Sequence, residues 1–319
     1  MFMLNPKSFG PLRCVVPALL SIALLTACGN LPSTESQGAR ESAQSAGSPS
    51  PLHAAEAPQT GALLPPAKGK LSVYFLDIGQ GDSTYIKTAA GDDILIDGGK
   101  NDAGAKAVAY LQQFDVDDLE ILIATHPDAD HIGGLDTVLE AFDVKAVYAP
   151  KVSHTTDTFK DFLLAVKQEG RTIKEAKAGV RLPLEGVEAV FVGPVKGYGD
   201  DLNDWSAVVR LSYGATSFLF TGDAEKKSEK DMADSGAELK ADVLKVGHHG
   251  SVSSTSEAFL QAVSPTYAVI SVGRNQYGHP AETVLNRLEE NHVAVYRTDA
   301  NGTVTAVSDG ITISMRKVK

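Results

Sequence analysis

The stretch ATHPDADHIGG (124–134) places two histidines and two aspartates within six consecutive positions: His126, Asp128, Asp130 and His131. It follows directly on LEILIAT (119–125), an apolar run of the length expected for a buried strand. Imidazole and carboxylate are ligands for zinc, manganese or iron. In a loop leaving a strand, alternate side chains can point one way, and the adjacent Asp130 and His131 can serve a neighbouring ion. The plainer alternative is a polar loop in which Asp128 or Asp130 caps a helix beginning near Ile132.

Further outward, more residues of the same chemistry fall at predicted strand ends. Asp223 closes SFLFTGD, where a carboxylate can bridge two ions, and His248 and His249 follow ADVLKVG. Sites in open α/β sheets gather at such positions. A chance scatter of eight histidines would rarely place so many there.

The surrounding pattern predicts the fold. LSVYFLDIG is a strand broken by Gly79 and Gly81, and STYIKTAAGDDILIDGG a hairpin turning at Gly91. A helix is expected over 102–114, and GLDTVLEAF and DTFKDFLLAVKQEG read as helices, the second closed by Gly170. SAVVRLSYGATSFLFTGD (206–223) echoes the first hairpin: a leading serine, a turn glycine at the same interval, and a terminal aspartate. Helices over 225–235, 256–263 and 281–291 alternate with the strands ADVLKVG, YAVISVG and VAVYR. A meander turning at Asn301-Gly302 and Asp309-Gly310 ends the chain. Two β-rich halves, each followed by helices, predict a four-layer αβ/βα sandwich of the α/β class. In KKSEK (226–230) the charges suggest a solvated helix face.

Composition sets bounds. The chain has 319 residues and a formal charge of -11, which argues against a broad electrostatic grip on nucleic acid but leaves room for a local cationic site created by bound metal. Its two cysteines, Cys14 and Cys28, both lie near the N-terminus, so any metal must be held by His, Asp or Glu. Lys7 and Arg13 precede the apolar run CVVPALLSIALLTAC, which is shorter than a membrane span requires and ends in Leu-Thr-Ala-Cys28. That ending resembles a bacterial lipoprotein signal box, implying cleavage before Cys28 and lipid on its thiol. The alternatives are an uncleaved anchor helix or a plain secretory signal. Residues 29–68, rich in Ser, Ala, Gly, Gln and Pro, read as a flexible tether spanning roughly 35 Å. The expected organisation is a signal region (1–28), a tether (29–68) and a folded domain (69–319), held outside the cytoplasm on a bacterial membrane.

LDIGQGDS, ILIDGG, THPDADHIGG, NDWSAVVRL, LFTGDAE, KVGHHGS, YGHP and YRTDANG, in this order from about Leu71 to about Ser314, resemble the metallo-β-lactamase-fold superfamily. Within it the likeness is nearest to the extracytoplasmic hydrolase domain of ComEC-type competence proteins. The superfamily signature is H-x-H-x-D-H, and Asp128 stands at its second histidine. The resemblance implies one or two divalent ions, zinc or manganese. His126 and Asp128 would hold one, Asp130 and His131 the other, and Asp223 would bridge them. His248 would complete the second site, with His249 its rival. The superfamily's third-motif histidine has no counterpart in Asn203-Asp204-Trp205-Ser206, so the first site would be richer in oxygen and more tolerant of manganese.

The mechanism so implied is hydrolysis by metal-bound hydroxide, the metal lowering the pKa of bound water towards ~7. Asp130 would orient the nucleophile, and His249 or His279 would donate to the leaving group; His279 read alone is equally a turn residue packed near Pro280. Asp77 and Asp82, with Gly79 and Gly81 as turn formers, would brace the metal loops, as would Asp97, Asn203 and Ser206. His154 and His292 read as surface residues, and His53 lies in the tether. The leading expectation is a phosphodiesterase or nuclease, with single-stranded DNA as candidate partner. The alternatives are an ester, lactone or lactam hydrolase of the same fold, and a non-catalytic surface lipoprotein that only binds.

Overall fold

The computed structural model describes residues 59–60 and 62–319. The expected signal region with Cys28, and His53 in the tether, lie outside the described residues. Ordered contacts begin before residue 69. Gln59–Thr60 pair in parallel with Arg316 and Lys317, and the Tyr74 hydroxyl donates to the Leu64 carbonyl at 3.0 Å.

Two sheets carry the domain. The strand Leu71–Phe75 pairs antiparallel with Thr84–Lys87, which turns back into Asp93–Ile96. Beyond that hairpin Ile121–Ile123, Val147–Ala149 and Ile173–Glu175 add in parallel. The C-terminal hairpin Val304–Ser308/Ile313–Lys317 covers the other flank of Leu71–Phe75. In the second sheet Glu188–Gly193, Val208–Tyr213 and Thr216–Phe220 are antiparallel, and Val243–Lys245, Tyr267–Ile270 and Ala294–Arg297 follow in parallel. Each sheet thus joins a hairpin to parallel strands reached through helices, the arrangement that the echo between residues 83–97 and 206–223 implies.

Strand alternation decides what each face buries, because successive side chains point to opposite sides. Val73, Phe75, Ile121 and Ile123 meet Phe191, Val209, Phe218 and Phe220 between the sheets. Tyr74, Leu76, Leu95 and Leu122 point the other way, under the helices Gly104–Gln113, Leu135–Ala141 and Asp157–Gln168. Leu219, Leu244, Ala268 and Ile270 likewise lie under Lys226–Asp234, Glu257–Val263 and Glu282–Glu290. Helix, sheet, sheet, helix is the αβ/βα sandwich. Each fully buried Leu, Ile, Val or Phe contributes about 1.5–3 kcal/mol, so the central seam and the two outer seams are all substantial.

Two features depart from the sequence pattern. The strands Ile173–Glu175 and Glu188–Gly193 stand outside the elements expected. KKSEK is not wholly a solvated face: Ser228 and Glu229 are buried. The Glu229 carboxylate accepts the backbone N–H groups of Thr255 and Ser256, capping the loop that enters the helix Glu257–Val263. A buried carboxylate is tolerated there because it satisfies donors that nothing else reaches.

Candidate metal centre

The site lies where strands of both sheets end. His126 follows Ile121–Ile123, and Asp128 opens the short helix Ala129–Ile132 that carries Asp130 and His131. Asp97 and Asp223 follow the second strands of the two hairpins. Each is tied to the serine that leads its hairpin: Ser83 Oγ donates to the Asp97 carbonyl, and Ser206 Oγ accepts the Asp223 N–H, both at 3.0 Å. The loop Asp77–Asp82 reaches the metal motif through Gly81 (φ 136°), where a Cβ would run into the Asp130 carbonyl; that oxygen accepts the Asp82 N–H at 3.1 Å. His248 and His249, in the turn after Val243–Lys245, both have left-handed backbones (φ 48° and 52°), a costly state for residues bearing a Cβ.

Hydrogen bonds fix which nitrogen of each imidazole faces inward. His131 Nδ1 lies 2.8 Å from Asp97 Oδ2, His126 Nδ1 is 3.1 Å from Thr125 Oγ1, and His249 Nδ1 is 2.8 Å from the Ser271 carbonyl. Thr125 in turn donates its hydroxyl and its N–H to the two oxygens of Asp97. Each of these partners can accept a hydrogen bond from Nδ1–H, leaving Nε2 directed inward without a proton of its own in the neutral ring. The Nε2 atoms of His126, His131 and His249 are buried without a hydrogen-bond partner, as is Asp223 Oδ1. Buried polar atoms are rarely left so, and here four converge.

Their spacing suits a cation. Donor atoms of His126, His131 and Asp223 lie within 4.8 Å of one another, as do those of Asp130, His131 and His249. His131 Nε2 is 3.2 Å from Asp223 Oδ1 without the alignment of a hydrogen bond, and His249 Nε2 is 3.4 Å from Asp130 Oδ2 and 3.5 Å from Asp223 Oδ2. An all-nitrogen-and-oxygen set with outward-braced imidazoles fits zinc, manganese or iron.

Electrostatics agree. Burial alone would neutralise His131, but the Asp223 and Asp97 charges outweigh it and hold its pKa well above the ordinary range. His249 is likewise pressed down by burial and lifted by Asp223, Asp130 and Asp82, to about 9. Burial would raise Asp223, Asp130 and Asp82; the imidazoles, and for Asp82 chiefly the Lys245 ammonium, lower them instead. The carboxylates thus hold positive charge in the cluster, as protons when no metal is bound.

The structure brings His126, Asp130, His131, Asp223 and His249 together, with Asp82 and Asp97 behind them. Asp128 stands at the margin, its side chain 37% exposed and its Oδ2 3.6 Å from His126 Nε2, which lowers its pKa. His248 lies outside the tightest groups: its Nε2 is 3.8 Å from Asp223, while Nδ1 is 2.9 Å from Glu225 Oε1. Asn203 and Ser253 donate to the same Glu225 oxygen. Glu225 is drawn down to about 2, first by His248, against the opposing effect of burial. His279 has its ring centroid 5.3 Å from that of His248 and 6.5 Å from that of His249, with Nδ1 buried and unpartnered. Asp77 is not brought to the cluster: its side chain meets the Lys319 ammonium at 3.2 Å and its N–H meets Thr303, so it braces the C-terminal strand instead.

Three residues of the site lie outside the sequence expectations. Lys245 is buried, ion-paired to Asp82, and its ammonium also reaches the Gly222 carbonyl at 3.2 Å. A lone lysine inside the apolar run ADVLKVG was the available signal. Thr125 and Glu225 lie inside the quoted motifs THPDADHIGG and LFTGDAE, but neither carried a comparable mark.

Comparison with known proteins agrees with this geometry. Residues 76–274 match the Metallo-beta-lactamase superfamily. The chain is 34% identical over 260 residues to ComE operon protein 3 of Bacillus subtilis, covering 76% of this chain and 34% of that protein. It is 34% identical over 244 residues to Recombination protein 2 of Haemophilus influenzae, covering 75% and 29%. Against Competence protein ComA of Neisseria gonorrhoeae it is 32% identical over 237 residues, covering 74% and 32%. The match therefore spans about a third of each of these relatives. Among solved structures, CmlA, a diiron beta-hydroxylase from Streptomyces venezuelae, superposes with a TM-score of 0.52 at 14% identity, covering 76% of this chain and 55% of that one. The metallo-beta-lactamase fold protein YhfI of Bacillus subtilis gives 0.52 at 10% identity, covering 75% and 100%. By its matched residues and its fold, this chain belongs to the metallo-β-lactamase superfamily.

Proposed function

We propose that the chain is a metal-dependent hydrolase of phosphodiesters, with nucleic acid as its substrate class, anchored outside the cytoplasm through lipid on Cys28. The observation carrying the enzymatic reading is the convergence of three unpartnered, buried imidazole nitrogens on Asp223. Such a cluster costs stability unless a cation fills it, so its persistence points to use. His126, Asp130, His131, Asp223 and His249 are the proposed ligands of one or two divalent ions, zinc or manganese, with Asp128 able to join on the His126 side. When bound, a divalent cation supplies Lewis acidity and lowers the pKa of water at the site.

The chain's own residues do the rest. Asp97 and Thr125 hold His131 and His126 with Nε2 inward, and Ser271 does so for His249. Asp130, its side chain 26% exposed, is the carboxylate of the cluster that opens to solvent, and it orients the attacking water. His279 stands at the mouth and donates to the departing oxygen. Glu225, Asn203 and Ser253 fix His248 at the rim. Relatives named for competence and recombination support nucleic acid as the substrate class.

The test is a metal-by-substrate screen on the purified chain, with Asp223→Ala as control. We expect turnover of bis-p-nitrophenyl phosphate with manganese or zinc, none of a chromogenic cephalosporin, and a loss of at least about 100-fold in Asp223→Ala. Full activity in Asp223→Ala would remove the bridging role. A chain that takes up no transition metal would sink the enzymatic reading in favour of a binding protein.

A further inference from the structure

Beside the metal cluster an open cleft of about 410 Å³ is lined by Lys100, Asn101, Asp102, Ala129, Asp130 and Tyr277. It adjoins the chemistry through Asp130, and its size lies within the range of small-ligand clefts. Two of its walls bear on what it could hold. Tyr277 is 71% exposed, the only aromatic side chain among the described residues left so open. Lys100 is exposed and has no carboxylate partner among the described residues, so its ammonium is free to meet an anion in the cleft.

Neither wall rests on loose chain. Asn275 staples the Tyr277 loop from within: its amide nitrogen donates to the carbonyls of Gly273 and His279, and its oxygen accepts the N–H groups of Tyr277 and His279. Gly273 is in turn held by Gln80 Oε1 at 3.2 Å. Lys100 follows Gly99, whose N–H donates to the Asp82 carbonyl and whose own carbonyl accepts from Gly134. An aromatic ring carried on an anchored loop beside a reactive centre costs little backbone entropy on stacking, and every nucleobase offers it a face.

We infer that this cleft is a nucleotide subsite, in which an unpaired base stacks on Tyr277 while Lys100 pairs with the adjoining phosphate. The inference rests on the phosphodiesterase reading and specifies its substrate as single-stranded, since a base stacked between its neighbours in a duplex presents no free face. It also reconciles nucleic acid with a formal charge of -11, because recognition is confined to one base and one phosphate and needs no extended basic surface. Asp102 gives the cleft an acceptor for an exocyclic amine or a sugar hydroxyl.

The test is fluorescence anisotropy of a labelled hexathymidylate with the full chain, in chelator to prevent turnover. It is paired with kinetics on two manganese-supported substrates, thymidine 5′-p-nitrophenyl phosphate and methyl p-nitrophenyl phosphate. Tyr277→Ala should weaken oligonucleotide binding about 5- to 140-fold, and Tyr277→Phe should restore it. The same substitution should cut the preference for the nucleoside diester over the methyl diester by a similar factor, through KM more than kcat. Lys100→Ala should make the salt dependence of binding about 0.7 shallower on a log–log scale. Binding that Tyr277→Ala leaves intact overturns the subsite, as does an equal loss on both diesters. Tyr277-dependent binding without hydrolysis of either diester upholds the subsite while removing the hydrolase reading.

Discussion

Asp97 Oδ2 lies 2.8 Å from His131 Nδ1, with both side chains fully buried, so one carboxylate from the first hairpin sets the orientation of an imidazole in the metal motif. Asp223, from the second hairpin, stands 3.2 Å from the other nitrogen of the same ring. Asp97→Asn turns an amide towards Nδ1 and weakens the preference for a free Nε2. We expect metal affinity to fall about 10- to 100-fold with the fold retained, measured by competition against a chromogenic chelator.

Lys245 and Asp82 form a buried ion pair, side chains 3% and 5% exposed. Lys245→Met removes the chief cation facing Asp82, leaving it only the neighbouring imidazoles, and should destabilise the metal-free protein by up to about 3–5 kcal/mol in urea denaturation. Adding Asp82→Asn should recover part of that loss, because the double variant leaves no unpaired charge.

The His249 pKa of about 9, against an ordinary 6.5, fixes the sign of a pH effect. A group raised on folding contributes stability fully present below its unfolded value and lost as pH rises through the folded one. The metal-free melting temperature should therefore fall between pH 6.5 and about 9. With metal bound the nitrogen no longer carries the proton, so that slope should flatten, and metal binding in this range should release protons. Thermal melts with chelator and with manganese, together with calorimetry in buffers of different ionisation enthalpy, check both statements.

Glu229 is raised in pKa by burial, although Ser256, Thr255 and Arg287 oppose the rise. Glu229→Ala should destabilise the protein by on the order of 1–3 kcal/mol for each of the two N–H groups stranded, read in equilibrium unfolding. Metal affinity should stay unchanged, since Glu229 touches no residue of the cluster.

The layers were legible from sequence because strand alternation and helix periodicity are local properties. His126, His131 and Asp223 stood out for a related reason: each is a coordinating residue just past an apolar run. The relation of His248 to His249 was not legible. Adjacent residues share every local signal, and their directions depend on two left-handed backbone states that the sequence does not announce. Burial of Glu229 was hidden similarly, because the donors it satisfies lie 26 and 27 residues further along the chain. Asp77 shares a motif with Asp82 but lies on the other side of the turn, so proximity in sequence did not mean proximity in space.

The cluster is fixed to two separate walls. Asp97, His126 and His131 hang from one sheet, Asp223 and His249 from the other, with Phe75 and Phe220 (ring centroids 6.1 Å apart) packed across the seam between them. Cation affinity is therefore a gauge of the distance between the walls. Repacking the seam, or compressing it with pressure, would register at the ligands without any ligand being altered.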